Sequence, residues 1–75
     1  MNQDVVDLIR DERDRALETL RQIEDEGLVI QESEDGGPMR DVTAKRANRQ
    51  RQIIERMDRV LDAVAREAAL ADEAY

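Results

Sequence analysis

Apolar residues recur at alternating spacings of three and four in two long stretches of this chain. The polar interval between them holds all three glycines and the only proline. That periodicity belongs to core-facing stripes on helices. With Val6 at position a of a heptad, a and d of the first stretch hold Val6, Ile9, Arg13, Ala16, Leu20 and Ile23, flanked by Val5 and Leu17. The spacing predicts a helix over about residues 3–26. Gly27 follows where a left-handed residue closes a helix, which makes Ile23 and Leu28 the expected contact pair of a Schellman cap.

The second stretch places Ala47, Gln50, Ile54, Met57, Leu61, Val64, Ala68, Ala71 and Tyr75 on its stripe, with Ile53 and Val60 beside it. No Gly or Pro interrupts it, and it predicts a helix over about 43–74 with Asp41 or Thr43 as N-cap. Glu55–Arg59 and Asp62–Arg66 are spaced to support it at i,i+4. The connection, 27–42, is a turn at Asp35-Gly36-Gly37-Pro38 by composition. Val29-Ile30 and Met39 to Val42 can pair as a short hairpin around it, but a connection longer than about 12 residues favours a mobile loop. Leu28-Val29-Ile30 is expected to pack over the end of the bundle.

Two helices and one turn make an all-α antiparallel hairpin, one domain over 1–75. At 1.5 Å per residue the helices span roughly 36 and 48 Å, so the second overhangs the first. A two-helix layer also leaves both seams half open. Ile9, Leu20, Ile54, Met57, Leu61 and Val64 form the expected oligomer seam, and the expected assembly is a homodimer, most simply a four-helix bundle. In plan it resembles the Rop type of RNA-regulating hairpin dimer, a likeness of shape that rests on no shared motif.

Size makes the second subunit matter. A chain of 75 residues and 8.6 kDa buries about 60% of its unfolded surface, and small domains add disulfides, metals or partners to compensate. There is no cysteine and no histidine. That removes disulfides, Cys/His zinc sites and thiol or imidazole catalysis together. The single aromatic, Tyr75, reads as a packing residue at the bundle end. Arg13 and Gln50 are polar positions within the seam, the kind that sets register or oligomer state. Met57 reads as gap-filling core.

Charge is unevenly spread. Nineteen acids oppose twelve bases for a net −7. Residues 1–39 hold 4 bases and 12 acids, 40–59 hold 7 and 3, and 60–75 hold 1 and 4. Eleven of the bases are Arg and one is Lys, a usage that fits a high-GC or salt-adapted host or one of their viruses. Asp4, Asp7, Asp11, Asp14 and Glu18 occupy successive b and f positions of the first helix. Like charges at i,i+4 destabilise a helix by a few tenths of a kcal/mol per pair, so stability alone does not select them. Carboxylates roughly 5–6 Å apart approach the phosphate spacing of a nucleic-acid strand. The plain alternative is a solvated face in an acid-rich proteome. Lys45, Arg49, Arg56 and Arg59 share the outer face of the second helix with Asn48 and Gln52, a nucleic-acid footprint in kind. No aromatic stands ready to stack bases, and the net charge repels phosphate. Those bases can instead face Glu24, Asp25 and Glu26 at the end of the first helix and so fix the antiparallel register.

The chemistry of catalysis is absent: Ser33 is the only serine, the carboxylates sit on outer faces, and no phosphate-cradling glycine pattern surrounds Gly36-Gly37. No enzyme, cofactor or metal is expected, since side chains on a rigid helix do not converge into a cage. No apolar run approaches the roughly 20 residues of a membrane span, and the start Met-Asn-Gln-Asp has no signal-peptide character. The expectation is a cytoplasmic, acidic, non-enzymatic protein-binding module. It acts as an inhibitor or adaptor of the kind found in viruses and mobile elements. It engages a larger protein, itself able to be a nucleic-acid binder, through the acidic face or the loop. The rivals are a nucleic-acid-binding dimer using the basic stripe and a structural coiled-coil subunit.

Overall fold

A computed structural model describes residues 2–73, with side chains placed through Ala71. Helix α1 spans Gln3–Asp25 and helix α2 spans Thr43–Glu73, and the two pack antiparallel. Strands β1 (Gln31–Glu32) and β2 (Arg40–Asp41) pair between them. The expected hairpin is therefore present. Tyr75 lies outside the described residues.

The helix ends follow local chemistry. The Asn2 side chain accepts from the Asp4 N–H at 2.8 Å and caps α1. Gly27, at φ +71°, closes the other end. The Leu28 N–H reaches the Gln22 carbonyl at 3.0 Å, which also accepts from the Glu26 N–H at 3.2 Å. The closing bond thus falls one residue earlier than the expected Schellman partner, Ile23. At α2, the Asp41 carboxylate accepts from the Thr43 N–H at 2.9 Å and from the Thr43 hydroxyl at 2.6 Å. Both residues expected at this cap take part. Of the two expected i,i+4 pairs, Glu55–Arg59 forms at 2.9 Å. Asp62–Arg66 is not among the ion pairs of the described residues.

The connection corrects the mobile-loop expectation. Asp35 and Gly36 have φ of 51° and 72°, and the Gly37 N–H donates to the Glu34 carbonyl at 2.8 Å. Two positive φ values inside a closed four-residue turn are the type I′ geometry that joins tight hairpins. Gln31 pairs with Asp41 and Glu32 with Arg40. Between that ladder and the turn lies Ser33 on one side and Pro38 with Met39 on the other. Pro38 lies outside the paired residues, where a missing N–H does no harm. The ladder continues inward through the Val42 N–H to the Ile30 carbonyl at 2.9 Å. Thr43 ties it to α2, its hydroxyl accepting from the Ile30 N–H at 2.9 Å. Only Ile30 of the apolar triplet turns inward. Leu28 is exposed and Val29 is 59% exposed, so the expected apolar lid does not form.

The core is thin. Among the described residues only Val6, Ala16 and Ala47 are buried, and no side chain is fully enclosed. Ile9, Leu20, Ile54, Met57, Leu61 and Val64 of the apolar stripes are each half-buried. The molecule measures 61 × 28 × 16 Å. Its least dimension is little more than the 10–12 Å diameter of one helix, so the hairpin is a single layer.

Candidate functional site

The wheel that turns Ile9, Ala16 and Leu20 toward α2 turns Asp4, Asp7, Asp11, Asp14 and Glu18 to the opposite side of α1. All five are exposed. Their surroundings differ along the ridge. Glu18 holds Arg21 through two hydrogen bonds, at 2.6 and 3.1 Å. That guanidinium lowers the Glu18 carboxyl below the usual carboxylate range. In return Glu18, with Glu26 at 3.1 Å, raises the Arg21 guanidinium. Asp14 lies 3.7 Å from Arg13. Asp7 accepts from the Gln3 amide at 3.0 Å and stands 3.9 Å from Arg10, the outer limit of an ion pair. Asp4 and Asp11 make no ion pair among the described residues. Only Glu18, at the C-terminal end of the ridge, is closely neutralised. Asp7 and Asp14 keep loose pairs and Asp4 and Asp11 none among the described residues, a distribution that spacing alone could not reveal. No three of the described acids form a group able to hold a metal ion.

On α2, Lys45, Arg49, Arg56 and Arg59 are likewise exposed on the outer side. Arg59 is held by Glu55, while Lys45, Arg49 and Arg56 make no ion pair among the described residues. Lys45 and Arg49 edge a shallow cavity of about 440 Å³, whose other walls include Val42, Asn48 and Gln52. Glu32 also reaches that cavity and pairs with Arg46. The β-hairpin thus brings an acid back over the basic end of α2, and reading the segment as a loop hides that contact. The neutralisation expected between those four bases and the end of α1 does not form among the described residues: Glu24 pairs with Arg51 instead, Glu26 with Arg21 of its own helix, and Arg59 with Glu55. The two ridges do not meet. They face outward from different helices and share no bond.

No protein-family model, no curated protein and no solved structure matches the chain. No helix of the described residues is long and apolar enough to cross a membrane. Among the described residues the geometry is one of side chains splayed on rigid rods beside shallow clefts.

Proposed function

We propose that the chain is a small non-enzymatic binding module, an inhibitor or adaptor. It engages a larger protein through the N-terminal half of the acidic ridge. One observation carries this reading. Asp4, Asp7 and Asp11 stand exposed on the side of α1 turned away from α2; Arg10 reaches Asp7 only at 3.9 Å, against the 2.6 Å at which Arg21 holds Glu18. A row of like charges is destabilising within its own helix, and a basic groove on another protein supplies the counter-charge. The chemistry fits a groove that otherwise holds a nucleic-acid backbone. The partner then belongs to the nucleic-acid-binding class.

The test is affinity capture from host extract with three baits: the native chain, Asp4→Asn/Asp7→Asn/Asp11→Asn, and Lys45→Gln/Arg49→Gln/Arg56→Gln. The expected result is a protein held by the first and third baits, lost with the second, and released by salt. Equal retention by the acidic variant, with loss in the basic one, overturns the reading. Salt-sensitive duplex binding by the native chain would then assign the basic stripe of α2 to nucleic acid.

A further inference from the structure

A two-helix layer has two broad faces, and here they differ. The Arg13–Asp58 and Glu24–Arg51 ion pairs bridge the helices along one of them. Each residue advances about 100° around a helix. Turning the other way from the line of contact reaches Val5, Ile9 and Ile23 on α1, and Ile53, Val60 and Val64 on α2. Because the helices are antiparallel, the same sense of rotation on both arrives at the same face. That face is apolar and open: Val5 is 43% exposed and the other five are half exposed. At its α1 edge stands Leu8, 65% exposed. At its α2 edge is a shallow cavity of about 250 Å³ walled by Val60, Ala63, Val64 and Glu67, with Arg59 beside them. Residues at i, i+3, i+4 and i+7 make the hole that receives one knob in coiled-coil packing.

We infer that the open face binds a second copy of this chain about a two-fold axis parallel to the helices. Helix α1 of each copy then lies on α2 of the other, and Leu8 enters the cavity between Val60 and Glu67. Register supports this. The ion pairs that bridge the helices have residue numbers totalling 71 for Arg13–Asp58 and 75 for Glu24–Arg51, so the level of Leu8 falls between Ala63 and Glu67 of α2. A two-fold axis along the helices leaves every level unchanged, so Leu8 of one copy stands level with the Ala63–Glu67 wall of the cavity on the other.

Charge supports it as well. Helix α1 carries eight acids and four bases, five of the acids on the outer ridge, whereas residues 43–59 of α2 carry six bases and two acids. Stacking α1 on the second copy's α2 joins helices of opposite net sign, and at the contact itself brings Glu12 near the level of Arg59. An axis perpendicular to the helices would instead set acidic α1 on acidic α1. Arg15 and Arg56 do approach in the proposed dimer, but at the solvent rim, where salt screens them. The second layer also provides the burial that the 16 Å thickness denies one copy. The inference goes beyond the acidic-ridge reading, since the ridge stays outside the contact.

The chain has no cysteine, so crosslinking can be directed. Leu8→Cys chains mixed with Ala63→Cys chains and oxidised mildly should yield the disulfide-linked pair. Leu8→Cys with Thr19→Cys should not, because those positions meet only if α1 lies antiparallel on α1 about its midpoint. In sedimentation equilibrium the native chain should weigh twice 8.6 kDa at micromolar concentration. Leu8→Glu should raise the dimer dissociation constant by about tenfold or more, and adding Ala63→Lys should restore it. Asp7→Asn/Asp11→Asn should dimerise like the native chain, which separates this inference from the ridge. A native monomer, or preferential Leu8–Thr19 crosslinking, overturns it.

Discussion

Arg13 and Asp58 meet across the two helices, guanidinium Nε to carboxylate Oδ1 at 2.5 Å, midway along the hairpin. Arg13 occupies a seam position where its heptad asks for an apolar residue. The pair pins the level of one helix against the other. Their side chains are 36% and 47% exposed, so solvent screens the attraction to the range of partly exposed pairs, below about 1 kcal/mol. Arg13→Leu should accordingly raise the melting temperature by filling the seam, while removing the polar contact that selects this register. Thermal melts followed by circular dichroism test the first effect. A double-mutant cycle of Arg13→Ala and Asp58→Ala should return a coupling of roughly 0.5 kcal/mol. A coupling near zero would show that the seam alone sets the register.

Asp41 ties the start of α2 to pH. The Thr43 hydroxyl, and after it the Thr43 N–H, hold the Asp41 carboxyl below its ordinary value. The ionised form is thus favoured in the folded chain. Its stabilisation is complete above the unfolded value of about 3.9 and is lost as pH falls through the lowered folded value. Asp41→Ala should reduce the melting temperature at neutral pH and flatten part of the acid limb. Asp41→Asn should flatten the same limb while keeping an acceptor for the cap. Carboxyl titration by NMR should place Asp41 below a free aspartate; a titration at or above the free value would contradict the cap.

The helices were legible in the sequence because their signal is redundant. The 3-4 stripe, the glycine at 27 and the cap at Asp41–Thr43 all place the same two rods, and the observed ends fall within a residue of the expected ones. The β-hairpin was hidden for a physical reason. Its strands, Gln31–Glu32 and Arg40–Asp41, are polar and exposed on both sides, so no alternation marks them. Backbone bonds and the Thr43 hydroxyl hold them instead. One signal was available: Asp35-Gly36 is a dipeptide suited to a type I′ turn. The acidic ridge was legible as a row. The close pairing of Glu18 was not, because that depends on which arginine turns back toward the ridge.

The turn itself can be tested. Gly36 has φ +72° with open space where a Cβ would stand, so Gly36→Val meets backbone strain and no clash. The hairpin is exposed throughout residues 31–41. Strain there should loosen it with little change in the global melting temperature. Trypsin should cut first at Arg40 in the native chain and faster in Gly36→Val. Replacing Glu32–Gly37 by a shorter glycine turn removes the Glu32–Arg46 pair. It should cost little more than an exposed ion pair does, since closure entropy grows only logarithmically with loop length. A collapse of the melting temperature in either variant would mean that the hairpin supports the helices.

The acidic ridge makes opposite demands on stability and binding, and that separates its two readings. Asp7 and Asp11 are like charges at i,i+4, so Asp7→Asn/Asp11→Asn should firm the hairpin by a few tenths of a kcal/mol. Asp4 lies in the first turn of α1, where a negative charge favours the helix dipole, so adding Asp4→Asn should return about that much. The triple variant should then melt close to the native chain while losing its protein partner. Asp14→Asn/Glu18→Gln should behave differently. It frees Arg21 from Glu18 and removes the looser Asp14 contact of Arg13, which stays on Asp58, weakens the hairpin slightly and leaves binding largely intact. Titration calorimetry against the captured partner, beside melts of each variant, measures both quantities at once. If binding follows the C-terminal pair, or falls evenly with each charge removed, the distribution of charge along the ridge has no functional meaning. Net charge alone would then govern the interaction.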